Sequence, residues 1–237
     1  MIRIGKYNLL RDREVTRLHE YWYHDFSSLG LTTAQRPGPW AANQLSKEEP
    51  ITLRIANAVD TCRREGIDPT VLELFCADGF FGCVAADRGA STVTGIDLDE
   101  PEIERASLAA QLLGQRHTHF EVEDVWITEK TAAIGLCAGG LYHLEDPESL
   151  LVRLRPLITR FLVIQTVFHL DVDDPDWFVS PAPGWTWGSR TGYGGVLAMV
   201  ERSGWKILDH DRNELLGNDE RSNRGSAYLL CEPADDG

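Results

Sequence analysis

Two sets of side chains in this sequence are placed to do chemistry. The first is an acid, a turn and a second acid: Glu73 in the apolar run Val71–Phe75, a Gly-punctuated turn ending at Gly79, and Asp97 about twenty residues on, at the end of the run Ser91–Ile96. An apolar run, a tight turn and small residues at helical spacing read as a buried strand, a turn and a helix N-terminus. Gly79 can take a positive φ or let a ligand approach the backbone, and a helix beginning near Phe80 aims its free N–H groups at that ligand. A nucleotide suits such a turn, and an acid at the tip of the next strand then accepts hydrogen bonds from ribose hydroxyls. Each feature also has a plainer use. The turn serves equally as an ordinary strand-to-helix connection, and Asp97, Asp99 and Glu100 all flank a helix start that needs only one of them as its cap.

The second set is His143 and His169, which follow the runs Ala133–Cys137 and Phe161–Thr166. Histidine has the ordinary pKa that suits a general base near neutrality, although a loop histidine bonded to backbone is the alternative for both. Beyond His169, the aromatics Trp177, Phe178, Trp185, Trp187 and Tyr193 crowd among Pro and Gly residues. Such a loop walls a pocket for a flat ligand, forms a homodimer contact, or packs on the surface.

These residues need a scaffold that brings strand ends together. From Val71 onward the pattern alternates strand and helix with short links, which predicts a doubly wound, mostly parallel Rossmann-like α/β sheet. Strands are expected at Val71–Phe75, Ser91–Ile96, His119–Val122, Ala133–Cys137 and Phe161–Thr166, and helices at Phe80–Arg88, Glu102–Gly114, Pro147–Leu157 and Gly194–Ser203. Trp205–Asp209 and Ala227–Cys231 suit an antiparallel C-terminal edge hairpin. Residues 1–50 form a helical N-terminal extension of the same domain, which occupies 51–237. Asp12–Ser27 has helical spacing of Val15, Leu18, Tyr21, Trp22 and Phe26, and Gly30–Trp40 reads as loop. That pair suits a lid over a substrate, or a helix packed on the sheet edge. Ser46–Arg64 then reads as a helix with Ser46 as N-cap, Glu49 as its capping-box partner and Pro50 in the first turn.

The segments taken together resemble the class I S-adenosylmethionine-dependent methyltransferases. In that family's signature an acid is followed by Gly at every second position; here Glu73 is followed by Phe75, Ala77 and Gly79. Thr118–Trp126, THFEVEDVW, is similar to the family's third strand, which implies Asp124 facing the adenine amino group and Val125 against the ring. Ile134–Pro147, IGLCAGGLYHLEDP, resembles the fourth strand and loop of a subgroup that includes the tRNA wobble-uridine carboxymethyltransferases and related small-molecule methyltransferases. The resemblance covers Val71–Thr166, with a weaker echo from Trp185 to Trp205. It implies S-adenosyl-L-methionine as cofactor, held by Glu73, Phe75, Ala77, Gly79, Asp97, Leu98, Asp124, Val125 and Gly139. His143, Tyr142 and His169 would then face the acceptor, with the Tyr142 ring turned toward the sulfonium, or packed as ordinary core. A small organic acceptor, methylated on oxygen or nitrogen, is the expected substrate. A tRNA acceptor is the alternative within the enzyme class, and a non-catalytic cofactor-binding protein is the alternative outside it, since two of the three signature glycines are replaced.

Bulk properties narrow the partners. A formal net charge of −14 repels phosphate backbones unless a local basic stripe offsets it, and no Lys/Arg cluster is visible in the chain, so a nucleic acid partner is not expected. No apolar stretch approaches the length of a membrane span, and the first residues have no apolar core of the signal-peptide kind. The five cysteines lack paired spacing, so reduced, buried thiols of a cytoplasmic protein are expected, with no metal site.

Overall fold

The computed structural model describes residues 21–234, built around a seven-stranded sheet. Its parallel part comprises β1 (Thr70–Leu74), β2 (Thr92–Asp97), β3 (Thr118–Val122), β4 (Ala132–Ala138) and β5 (Ile158–Phe168). A two-stranded ribbon, β6 (Phe178–Val179) and β7 (Arg190–Thr191), stands apart, and β8 (Trp205–Glu214) and β9 (Gly225–Pro233) close the main sheet as an antiparallel edge hairpin. The order β3-β2-β1-β4-β5-β9-β8 means that the chain winds outward from β1 in one direction, then returns to β4 and winds in the other. Between β1 and β4 the winding reverses, and a crevice opens beyond their carboxyl ends.

Helices cover both faces: α1 (Pro39–Glu65), α2 (Phe80–Asp87), α3 (Glu100–Leu113), α4 (Pro147–Leu154) and α5 (Tyr193–Arg202). Alternation along β5 shows how the two cores arise, because successive side chains point to opposite faces. Phe161 and Val163 join Ile51, Ile55, Phe80 and Ala106 on one side, whereas Leu162 and Ile164 join Leu150, Leu154, Val196 and Trp205 on the other. All five cysteines are buried and unbridged. Among the described residues no helix is long and apolar enough to cross a membrane.

The N-terminal region differs from its periodicity. Residues 12–20 of the helix expected over Asp12–Ser27 lie outside the described residues, and residues 21–25 are not helical. Trp22 bridges to Gln35, with Trp22 N–H donating to Ala34 O at 2.8 Å, and only Phe26–Leu29 forms a 3-10 turn, capped by Asp25. Asp and Ser side chains compete for local backbone bonds and favour such turns over helix. Trp22 and Phe26 still bury, now edge-on to each other and with Phe26 edge-on to Phe80 of α2.

The following helix begins at Pro39, seven residues before the expected cap, and runs unbroken across position 50. Ser46 is therefore mid-helix, and its hydroxyl donates back to Ala42 O at 2.6 Å. Pro50 sits in the helix interior, where its missing N–H leaves the Ser46 carbonyl without an intrahelical donor. Asn213 Nδ2–H at 2.9 Å and the Tyr228 hydroxyl at 3.3 Å take that carbonyl instead. The edge hairpin thereby satisfies the bond that proline removes.

Candidate active site

Phe75, Ala77 and Gly79 all adopt left-handed backbone, with φ of 55°, 46° and 73°. These are the positions at which the resemblance places glycines, so the path of the turn survives the loss of two of them. Left-handed backbone costs a residue with a Cβ about 1–2 kcal/mol, and the surroundings hold it. Ala77 N–H donates to Asp97 Oδ2 at 3.0 Å, Cys76 N–H to Ile96 O at 3.1 Å and Gly79 N–H to Cys76 O at 2.8 Å. The Phe75 ring covers Gly140, where a Cβ would lie 1.9 Å from it. Glycine at 79 is required twice over, by its φ and by the Phe120 ring, which a Cβ would meet at 2.5 Å.

Glu73 sits beneath this turn, 2% exposed, and accepts the Gly82 N–H at the start of α2. Desolvation, with the neighbouring Asp78 charge second, pushes its pKa well above the usual carboxylate range. Its Oε2 has no protein partner. Asp78 is fully buried and holds the N-terminal segment down: it accepts His24 N–H at 2.7 Å and lies 2.6 Å from the His24 ring Nδ1. The His24 ring stacks on Phe80 at 4.9 Å.

A cavity of about 470 Å³ lies over the turn at the crevice between β1 and β4. Among the expected site residues, Glu73, Phe75, Ala77, Asp97, Gly139, Tyr142 and His143 line it. Gly79 lies just below as the N-cap of α2. Asp99 is the cap of α3, accepting Glu102 N–H at 3.2 Å, which leaves Asp97 at the strand tip. Each Asp97 oxygen accepts one backbone N–H, from Ala77 and from Asp99, both at 3.0 Å, and keeps a lone pair for a ligand.

Four expected residues stand elsewhere. Leu98 is 67% exposed and outside the cavity wall. Asp124 caps its own turn, accepting Trp126 N–H at 2.9 Å, and Val125 is buried in the core with Leu72 and Ile96. His169 accepts Asp171 N–H on Nδ1 at 3.2 Å and presents its ring to Trp177, away from both cavities.

A second cavity, of about 600 Å³, adjoins the first, and the two share Tyr23, Lys47, Tyr142 and His143 as their common wall. Trp185 and Trp187 wall it as the aromatic loop suggests. Trp177 and Phe178 instead line a smaller cavity of about 250 Å³ beside α5, and the Tyr193 hydroxyl pairs with His210 Nδ1 at 2.7 Å. His143 is exposed, and its ring stacks on Trp187 at 5.0 Å and touches Tyr142 at 4.2 Å. Desolvation, then the charges of Arg190 and Lys47, push its pKa down to about 4. Burial raises the Tyr142 phenol, over whose ring Arg190 lies at 5.2 Å. Arg190 is locked: Nε donates to Asn223 Oδ1 at 2.8 Å, and Nη1 to Ser189 O at 2.6 Å and Tyr142 O at 3.1 Å.

No protein-family model and no curated protein matches the sequence. Solved structures do match the fold. The N-terminal domain of EvdMO1 with S-adenosylhomocysteine bound aligns over 94% of this chain and 94% of that chain, with a TM-score of 0.66 and 17% identity. Magnesium protoporphyrin IX methyltransferase (ChlM) from Synechocystis PCC 6803, with S-adenosylhomocysteine bound, aligns over 78% of this chain and 84% of its own, with a TM-score of 0.56 and 17% identity. This chain has the Rossmann-like methyltransferase fold. The same fold carries other chemistry too, since the [4+2]-cyclase SpnF aligns over 70% of this chain and 74% of that one, with a TM-score of 0.59 and 13% identity.

In this Rossmann-like frame, several cleft residues escape sequence reading. Tyr23, His24 and Arg36 come from the segment expected as helix and loop, and Asp78 reads only as a turn residue. Lys47 had a signal. Once α1 starts at Pro39, a period of 3.6 puts Gln44, Lys47, Ile51, Ile55 and Ala58 on one stripe, and all five are buried.

Proposed function

We propose that the protein is an S-adenosylmethionine-dependent methyltransferase acting on a small organic acceptor, at oxygen or nitrogen. The observation that carries this reading is the pair of adjoining cavities with a common wall, one built over the strand-turn-helix unit with Asp97 at its tip and the other walled by Trp185 and Trp187. The residues present fit the cofactor. The left-handed turn exposes backbone to a ligand, Asp97 retains lone pairs for two ribose hydroxyls, and Oε2 of Glu73 is unspent. The EvdMO1 domain has also been solved in the presence of S-adenosylhomocysteine and D-fucose, which favours a small acceptor here. A tRNA acceptor fits less well, because the chain carries a net charge of −14 and the second cavity is an aromatic pocket.

When bound, the cofactor supplies a methyl group already activated on a sulfonium. The chain's own residues therefore have mainly to align the acceptor and exclude water. Tyr142 and His143 stand on the wall where the two ligands would meet, and His143, held neutral, offers a lone pair to an acceptor proton. His169 plays no such part.

Calorimetry with S-adenosylhomocysteine tests the reading. The parent should bind, and Asp97→Ala should weaken binding by about 2–3 kcal/mol through loss of a charged acceptor for two hydroxyls. A folded Asp97→Ala protein that binds as tightly as the parent rejects the cofactor assignment. Tight binding without methyl transfer to any acceptor in a broad pool would favour a non-catalytic member of the fold.

A further inference from the structure

Lys47 is 4% exposed, and it makes no hydrogen bond or ion pair among the described residues. It lines both cavities, on the wall where they meet. Burial of an unpaired ammonium is unfavourable unless a partner arrives. The neighbouring charges offer none. Arg190 is a second cation, already satisfied by Asn223 and three carbonyls, and Glu220 at the rim accepts from Asn223. Asp219 also lines the second cavity but forms no ion pair with Lys47. Arg36, which lines the first cavity alone, leaves a separate cation for the cofactor's own carboxylate.

Resting on the methyltransferase reading, we propose that Lys47 is the acceptor-binding cation: it pairs with an anionic oxygen, carboxylate or phenolate, carried on a flat ring, and that oxygen is the atom methylated. The flat ring follows from the walls, since Trp185, Trp187 and His143, three aromatic rings in contact in series, line the second cavity. The anionic oxygen follows from an ammonium that no acceptor among the described residues takes. Its place as nucleophile follows from the position of Lys47 on the shared wall, where a methyl group passes from one cavity to the other. An oxygen lone pair forms the new bond to the methyl carbon as the carbon–sulfur bond breaks, its electron pair staying on sulfur. A carboxylate arrives ionised and no proton moves. A phenol gives its proton to the neutral His143 as the bond to the methyl carbon forms, while Lys47 stays charged and holds the oxygen.

The test uses matched flat probes and calorimetry on the full chain saturated with S-adenosylhomocysteine: 2-naphthoate against 2-naphthamide, and 2-naphthol against 2-methoxynaphthalene. The parent should prefer naphthoate, naphthol or both over the neutral counterpart by about tenfold or more, as expected of a desolvated charge-assisted bond. Lys47→Met, close in volume and checked for folding by circular dichroism, should lose that preference and keep its S-adenosylhomocysteine affinity. Lys47→Arg should keep part of it. Transfer from trideuteromethyl S-adenosylmethionine separates the two acceptor types by the mass of the product, methyl 2-naphthoate or 2-methoxynaphthalene. A parent with no preference, a Lys47→Met protein that retains it, or a parallel fall in S-adenosylhomocysteine affinity each overturns the proposal. Failure of the parent to bind S-adenosylhomocysteine at all would instead count against the methyltransferase reading, and the same probe pairs read on the ligand-free protein still decide whether Lys47 holds an anion.

Discussion

Tyr142 and His143 are adjacent in sequence, yet burial acts on them in opposite senses. Desolvation favours the neutral phenol and the neutral imidazole alike; the charges of Arg190 and Lys47 reinforce this at His143, whose pKa falls to about 4, whereas Arg190 opposes it at Tyr142, whose pKa rises through burial. If His143 accepts the acceptor's proton, activity that depends on its neutral form persists below the ordinary histidine range. The acid limb of the turnover profile should lie near pH 4 where the protein remains folded, not near 6.5. His143→Ala should remove that limb and lower turnover by about a hundredfold, the usual contribution of a positioned base, with cofactor affinity unchanged. Full turnover in the variant would leave alignment as the whole of the catalysis. An acid limb near 6.5 in the parent would place the titrating group elsewhere.

Two features were not legible from local pattern, the left-handed backbone within the signature turn and the segment that covers it. Sequence gives no reason for Phe75 and Ala77 to take left-handed backbone, because Cβ disfavours it; the Asp97 carboxylate and the Ile96 carbonyl impose it through hydrogen bonds from the next strand. Ala77→Gly should therefore stabilise the fold by about 1 kcal/mol, the relief of left-handed strain less the entropy that glycine adds to the unfolded chain. Urea unfolding measures it, and a lower midpoint would mean that the Ala77 Cβ contributes packing that outweighs the strain. The covering segment, residues 21–38, is tied to the turn by His24 and Asp78 and places Tyr23, His24 and Arg36 on the cavity over the turn. Its amide hydrogen exchange should slow when cofactor and acceptor are both bound. Unchanged exchange across the segment, under conditions of demonstrated turnover, would leave it a purely structural role.

At the scale of the whole molecule, a strongly acidic protein sets Lys47, Arg190 and Arg36 among six carboxylates that line the two cavities, Glu73, Asp97, Asp99, Glu102, Asp219 and Glu220. Attraction for a small anion is therefore local to Lys47, while the outer surface repels a long polyanion. The cleft cation carries a global cost. Burial lowers the Lys47 pKa from 10.5 to about 8, so below pH 8 the folded state bears a penalty of roughly 3 kcal/mol. Between pH 8 and 10.5 the unfolded chain binds the extra proton, and this lysine's penalty fades as pH rises. Lys47→Met should therefore raise stability most at neutral and acidic pH, and progressively less above pH 8. Denaturant unfolding at pH 7 and pH 9.5 checks it; an equal gain at both values, or a loss at pH 7, would mean that Lys47 is not a strained charge in the folded protein.

Strand and helix alternation from Val71 onward, the edge hairpin and the crevice that holds Glu73, Asp97 and Gly139 all follow from the sequence, because periodicity and turn chemistry are local and the winding order fixes where the strand ends converge. Asp99 as the cap of α3, Pro50 inside α1, and the places of Asp124 and His169 in turns outside the cavity wall were shown only by the folded chain. So was Lys47. A lysine in SKEEP reads as a solvated charge until α1 is known to start at Pro39; that start puts Lys47 on the helix's buried stripe, and packing against the wall made by Tyr23, Tyr142 and His143 covers it. Burial is a property of surfaces brought together, and the local chain does not encode which surface will meet it.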